Sequence, residues 1–196
     1  MRIKLAVILA GICAAAFSQA DRTYYKSIAV VPQYACIGGM RFDYEYNLIK
    51  SHWIQVCPQV FYHDATDGVF TSGYMSLKGA GLHVYHKMFL RKETPGCGPY
   101  MSYGIGYNTF NMTDIYNDEG LDENCITRID AVTSNMLMGY QAVAFNKVIF
   151  DFYWGMGNRY SVRTYLLGHN SFNTTANDFG FSGNRFIMGF RMGFLF

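Results

Sequence analysis

His169 and Ser171 are the two residues of this sequence whose types and spacing best fit nucleophilic catalysis. Side chains two positions apart on a strand point to the same face, so the imidazole could act as the base for the serine hydroxyl. The nearest acid downstream is Asp178, and no glutamate lies between Ser171 and the end of the chain. The surrounding segment is rich in Asn, Thr and Gly, which is typical of a loop. We therefore expect no catalysis, with hydrolysis by this pair as the alternative.

An acidic segment at 114–123 is the second candidate, because its carboxylates could bind calcium. An EF-hand loop needs oxygen ligands at alternate positions and glycine at the sixth. Counted from Asp114, the third and sixth positions are Tyr116 and Glu119. The pattern therefore favours a solvated loop.

The cysteines and histidines lack the spacing of a metal site. Beyond the first 20 residues the cysteines are Cys36, Cys57, Cys97 and Cys125. They include no C-x-x-C pair, and His83 and His86 would point to opposite faces of a strand. We expect no metal and no cofactor. The net charge of +2 gives no case for a nucleic-acid partner.

Residues 1–20 have the features of a secretory signal peptide. Two basic residues precede an apolar run from Leu5 to Phe17, which is too short to span a bilayer as a helix. Small residues at the end of the segment suit cleavage before Asp21. We predict that 21–196 forms one mature domain.

The composition is unusual for a chain with a water-facing surface. Charged residues make up 15% of the sequence and aromatic residues 17%. Average proteins contain roughly 25% charged residues. Beyond residue 21 no run approaches the roughly 18 apolar residues that a membrane helix needs.

The end of the chain alternates between two kinds of side chain. From Asn184 to Phe196 the even positions are almost all large and apolar, whereas the odd positions include Arg185 and Arg191 and two glycines. Successive side chains of a strand point to opposite faces. A lipid-facing surface opposed by a polar, tightly filled lumen explains this division.

Phe190, Phe194 and Phe196 give the closing segment a pattern that resembles the C-terminal assembly signal of bacterial outer-membrane barrels. The rhythm of the whole chain after residue 20 is similar to that of small outer-membrane barrels common in Bacteroidota. The resemblance implies location in the outer membrane, with its lipid, lipopolysaccharide and the barrel assembly machinery as partners. It also implies a role in envelope integrity, adhesion or host contact through outer loops, with an extracellular ligand left open.

His169 and Ser171 in turn resemble the His-x-Ser motif of the outer-membrane lipid A deacylase, which is also an eight-stranded barrel. This second resemblance implies a lipid A-modifying hydrolase as the alternative function. In that family the motif lies on a strand and a downstream glutamate orients the histidine, whereas this sequence has only Asp178.

The alternation recurs along the chain and predicts an all-β fold, an eight-stranded antiparallel up-and-down transmembrane barrel. The predicted strands are approximately 26–34, 38–48, 52–63, 73–90, 98–112, 129–145, 148–160 and 184–196. Seven strands are clear, and the first is added because a single-chain bacterial barrel has an even number. Short connections near 49–51 and 146 and long ones near 113–127 and 163–183 place both termini in the periplasm. Bulges or breaks in pairing are predicted at Pro58 and near Lys78.

This topology also limits the disulfides. It places Cys97 and Cys125 at opposite ends of the barrel, which excludes a bridge between them. A bridge between Cys36 and Cys125 stays open.

An eight-stranded barrel is just wide enough for side chains to fill its interior. The charged residues predicted to face inward are Arg41, Asp43, Glu45, Asp151, Arg159, Arg185 and Arg191. Their mixed signs favour an ion-pair network that closes the lumen, with a narrow diffusion pore as the alternative. Trp53 and Trp154 are predicted to lie in aromatic girdles at the membrane interfaces.

Overall fold

The computed structural model describes residues 25–64, 76–91, 96–118, 121–145, 147–167 and 180–196. The predicted signal peptide and the pair His169 and Ser171 lie outside these ranges. Within the described ranges, no helix is both long enough and apolar enough to cross a membrane.

Eight antiparallel strands form one closed ring, in which each strand pairs with its neighbours in sequence and the last pairs with the first. The strands are β1 Lys26–Val30, β2 Gly39–Ile49, β3 His52–Asp64, β4 Ser76–Phe89, β5 Gly98–Asp118, β6 Leu121–Ala144, β7 Val148–Leu167 and β8 Gly183–Leu195. The prediction of an all-β, eight-stranded antiparallel fold is confirmed.

The register of the strands sets the shape of the ring. Ile28 on β1 pairs with Tyr44 on β2, and following the paired residue from each strand to the next, through β7, leads to Asn184 on β8. Ile28 itself pairs with Phe194, which lies 10 residues farther along β8. With a rise of about 3.3 Å per residue and strands about 4.8 Å apart, this stagger corresponds to a tilt of about 40° and a radius of about 8 Å. A lumen of that size is narrow enough for side chains from opposite walls to meet.

Both ends of the described chain meet at one end of the barrel, which we call the terminal end. The amide of Lys26 donates to the carbonyl oxygen of Phe196 at 3.1 Å, and the amide of Phe196 donates back at 2.9 Å. Tight turns at Lys50 and Phe145, both with φ of 49°, lie at the same end. The opposite end is the distal end.

The first strand is shorter than predicted. β1 ends at Val30, and a 3₁₀ helix, Pro32–Ile37, follows it at the distal end. Proline has no backbone N–H to donate to a strand ladder, whereas it fits the first turn of a helix. The Tyr34 ring lies 5.7 Å from the Phe61 ring, so the helix is packed against the wall of the lumen rather than extending the sheet.

The connection predicted near 113–127 is wrong, because β5 and β6 pair without a gap up to Asp118 and Leu121. Likewise β7 continues to Leu167. The Asn and Asp residues of 113–127 favour a loop locally, but continued pairing of β5 with β6 outweighs that preference.

Two predicted irregularities have different outcomes. Pro58 pairs with Leu82 in unbroken register, while the pairing of β3 with β2 is interrupted beside Pro58 and resumes in the same register. The result is a local break without a bulge. Lys78 pairs in continuous register with both neighbouring strands, so the predicted bulge there is wrong.

Candidate functional site

Lys87 lies at the centre of a buried ion network in the half of the lumen nearer the terminal end. Its side chain is fully buried. The Nζ atom donates to Oε1 of Glu45 at 2.9 Å, to Oδ2 of Asp151 at 3.0 Å and to Oε1 of Gln141. One ammonium group therefore joins β2, β4, β6 and β7 across the lumen.

Arg191 links the last strand to the same network. Its Nη1 donates to Oδ2 of Asp43 at 3.0 Å, and its Nη2 lies 2.6 Å from Oδ2 of Asp151. Nη2 also donates to the hydroxyl of Tyr100, which donates to Oδ1 of Asp151 at 2.6 Å. Both carboxylates thus hold short, charge-assisted bonds, which are stronger than neutral ones.

Asp43 joins the network to the more distal part of the lumen. It accepts from Nε of Arg41 at 2.7 Å and from Nε2 of Gln55 at 2.7 Å. Glu45, two residues on, accepts from the hydroxyl of Ser27 at 2.9 Å. These additional bonds satisfy the oxygen atoms that water would otherwise bind, which is what a buried ion pair requires.

The network as a whole is electrically neutral. Its charged members are the cations Arg41, Lys87 and Arg191 and the carboxylates Asp43, Glu45 and Asp151, each at most 7% exposed. Three positive charges therefore face three negative ones inside a closed ring. Such an arrangement fills this part of the lumen with bonded side chains and leaves no excess charge there.

An apolar layer closes the lumen on the terminal side of the network. It contains Trp53 and Phe89, whose rings meet edge to face at 6.0 Å, together with Ile149 and Leu195. The prediction that Trp53 lies in an interfacial girdle is wrong, because its side chain is fully buried. Trp53 shares its strand face with Gln55, and that face points inward.

A cavity of about 440 Å³ lies on the distal side of the network. Arg41, Arg159 and Arg185 line it, together with His83. The two ring nitrogens of His83 are bonded to neighbours, with Nδ1 3.1 Å from the Tyr85 hydroxyl and Nε2 within hydrogen-bond distance of two side-chain amides. Arg159 and Arg185 face inward as predicted, but they lie beside this cavity rather than within the ion network.

The remaining predicted residues lie on the outer face. Phe194, Phe196 and Trp154 are exposed, and Phe190 is half-buried with its ring stacked 5.9 Å from that of Phe152. Trp154 lies between Met138 and Met188 on the neighbouring strands.

No family model matches this sequence, and no curated protein matches it either. The chemistry of the lumen and the outer face is therefore the basis for a function.

The candidate hydrolytic pair, His169 and Ser171, lies outside the described residues, so the prediction of no catalysis and the alternative of hydrolysis are both untested. The side chains of the acidic segment 114–123 lie outside them as well. Cys36, Cys57 and Cys97 carry free thiols. Within the described part of the chain, no group of three or more His, Cys, Asp or Glu side chains is arranged to hold a metal ion.

Lys87 is the central residue that the sequence analysis does not identify. A single lysine near the end of a strand suggests a solvent-exposed position, because lysine is almost never fully buried unless it is paired. Alternation nevertheless carries a signal, because Lys87 lies two and four positions after Tyr85 and His83 and therefore shares their face of the strand. Its two carboxylate partners are far away in sequence, and alternation alone does not show which strands face each other.

Proposed function

We propose that this chain is an integral β-barrel of a bacterial outer membrane, with a structural or surface-contact role and without catalysis. The observation that carries the proposal is the inverted distribution of side chains. Charged side chains are buried in the middle of the described lumen, next to an apolar layer, whereas large apolar side chains cover the outer face. Water would not stabilise an apolar surface of this extent on a monomer.

The apolar outer face extends over several neighbouring strands. Its exposed members include Met40, Phe42, Tyr44, Tyr46 and Leu48 on β2, Tyr103, Ile105 and Tyr107 on β5, Met136, Met138 and Tyr140 on β6, Phe152, Trp154 and Met156 on β7, and Phe186, Met188, Met192, Phe194 and Phe196 on or after β8. From Phe186 to Phe196 the tilted strand rises about 25 Å, which is about the height of the apolar band on outer-membrane barrels.

Charged side chains on the outer face begin on the distal side of this band. Nε of Arg128 lies 3.1 Å from Oδ2 of Asp130, and the Tyr107 hydroxyl donates to Asp130 at 2.7 Å. Lys78 lies over the ring of Tyr62 at 5.2 Å. A tyrosine next to each charged group is typical of a membrane interface. We propose that this level is the outer boundary of the membrane and that both termini lie in the periplasm.

The neutral ion network supports a closed lumen over a diffusion pore. Its members span the lumen from β2 to β7 through direct bonds, and the layer around Trp53 closes the terminal side. The role is then carried by the outer surface: contact with lipid and lipopolysaccharide, and envelope integrity, adhesion or host contact through the distal loops.

Fluorescence of the two tryptophans tests insertion into lipid. Trp53 is inside the ring and Trp154 is outside, so Trp53→Phe and Trp154→Phe give two barrels that each report one environment. In vesicles of brominated phosphatidylcholine we expect strong quenching of Trp154 and weak quenching of Trp53, with neither effect in unbrominated vesicles. Equal quenching of both, or quenching of Trp154 by aqueous acrylamide alone, would contradict insertion.

Planar-bilayer recording tests the closed lumen. The purified barrel should give no stable single-channel current, because the bonded network and the apolar layer leave no water path. A reproducible conductance step from the wild-type protein would overturn the closed lumen and favour the narrow pore.

A further inference from the structure

The cavity on the distal side of the ion network is larger than a space for a few water molecules. Its volume of about 440 Å³ falls within the range of small-molecule sites, roughly 300–1,000 Å³. We propose that it binds a small organic anion, a carboxylate or phosphate monoester with an apolar body. This goes beyond the proposed structural role, and it does not depend on what the outer loops contact.

The charge around the cavity favours an anion. The network beneath it is neutral, and the described residues that line the cavity include no carboxylate. Within the described part of the chain, Arg185 makes no hydrogen bond or ion pair, and its Nε is buried without a partner. A guanidinium group matches the geometry of a carboxylate or phosphate and binds it through two parallel hydrogen bonds. Arg41 and Arg159 line the same cavity.

Two buried amides provide acceptors beside the arginines. Among the described residues, Oε1 of Gln59 and Oδ1 of Asn135 have no hydrogen-bond partner, although these residues are only 4% and 6% exposed. Buried polar atoms normally have a partner, so each of these oxygen atoms is available to a donor on a ligand. The site therefore offers donors for an anionic group and acceptors for a hydroxyl or amide N–H.

Much of the remaining wall of the cavity is aromatic or aliphatic. Tyr34, Phe61, Phe110, Tyr153 and Ile187 supply it. A small mobile ion would leave this surface in contact with water, whereas an organic ligand would cover it. The mixed lining is why we assign an anion with an apolar body rather than an inorganic ion.

Calorimetric titration of the purified, folded barrel in zwitterionic micelles tests the site. The probes are phenyl phosphate and benzoate, with benzyl alcohol as the neutral analogue and inorganic phosphate as the head group alone. We expect saturable binding of both organic anions, at least tenfold weaker binding of the two controls, and at least tenfold weaker anion binding by Arg185→Gln, since a charge-assisted bond is lost. Arg128→Gln, on the outer face, is the matched control and should bind the anions like the wild type.

A second variant separates loss of the site from misfolding. Ile187→Trp fills the cavity without changing charge, and it should abolish anion binding while the heat-dependent gel shift of a folded barrel is kept. Absence of binding to the wild type, or unchanged binding by Arg185→Gln or Ile187→Trp, would overturn the proposal. Inorganic phosphate binding as tightly as phenyl phosphate would overturn the assigned apolar body. None of these results affects tryptophan quenching by lipid, so the proposed membrane role is tested separately.

Discussion

Replacing Lys87 with methionine tests whether the buried network stabilises the barrel. The change removes three hydrogen bonds and leaves two cations facing three carboxylates inside the lumen. Removing one partner of a buried pair costs about 3–5 kcal/mol. Glu45 keeps its bond from Ser27 and Asp151 keeps Arg191, so we expect the lower part of that range, about 3 kcal/mol.

Urea unfolding in micelles at neutral pH measures the effect, with Arg128→Met as the matched control. Arg128 pairs with Asp130 on the outer face at 50% and 28% exposure, so its loss should cost at most about 1 kcal/mol. The double variant Lys87→Met with Glu45→Gln restores neutrality and should recover about half of the loss or more. A Lys87→Met barrel within 1 kcal/mol of the wild type, or a double variant no more stable than the single one, would refute the role given to the network.

Three further changes test the wall, the chain end and the candidate hydrolytic pair. A Cβ at Gly104 would collide with a backbone carbonyl oxygen of β4, so Gly104→Val should lower the free energy of unfolding by about 1–3 kcal/mol, while Ile105→Val on the outer face should change it by less. Phe196→Ala should reduce the fraction of chain recovered as folded barrel in outer-membrane fractions, measured by the gel shift on heating. His169→Ala with Ser171→Ala should leave the lipid A mass spectrum of expressing cells unchanged, and loss of an acyl chain seen only with the wild type would establish the hydrolase instead.

Alternation of side chains was enough to predict most of the wall. On β2 it assigns Asp43 and Glu45 to the inside and Tyr44 to the outside, and the structure places them there. The alternation rule works because one face of a strand points into the lumen and the other carries apolar groups on the outside. The sequence therefore alternates with a period of two residues along the strand. The same rule applied to β3 would have placed Trp53 inside with Gln55. The prediction for Trp53 was wrong because it followed the preference of tryptophan for membrane interfaces instead of the alternation on β3.

An ion-pair network in the lumen was predicted, but which residues pair across the ring was not. Lys87 is buried because Glu45 and Asp151 approach it from other strands. These ion pairs can be predicted only once the arrangement of the strands around the ring is known. The ends of the strands were missed for a related reason. Pro32 shortens β1 through its missing N–H, while pairing of β5 with β6 continues through residues that favour loops on their own.

The junction between β1 and β8 has a consequence for the order of folding. Every other junction joins strands that follow each other in the chain, whereas this one brings Ser27 beside Leu195 through only four paired positions. Contacts between distant parts of a chain form slowly because the loop entropy is lost before they contribute. We therefore expect the β1–β8 junction to form last during folding and to separate first under mechanical force. On the lumen side, the bond from Arg191 on β8 to Asp43 on β2 spans this junction and holds the ring closed.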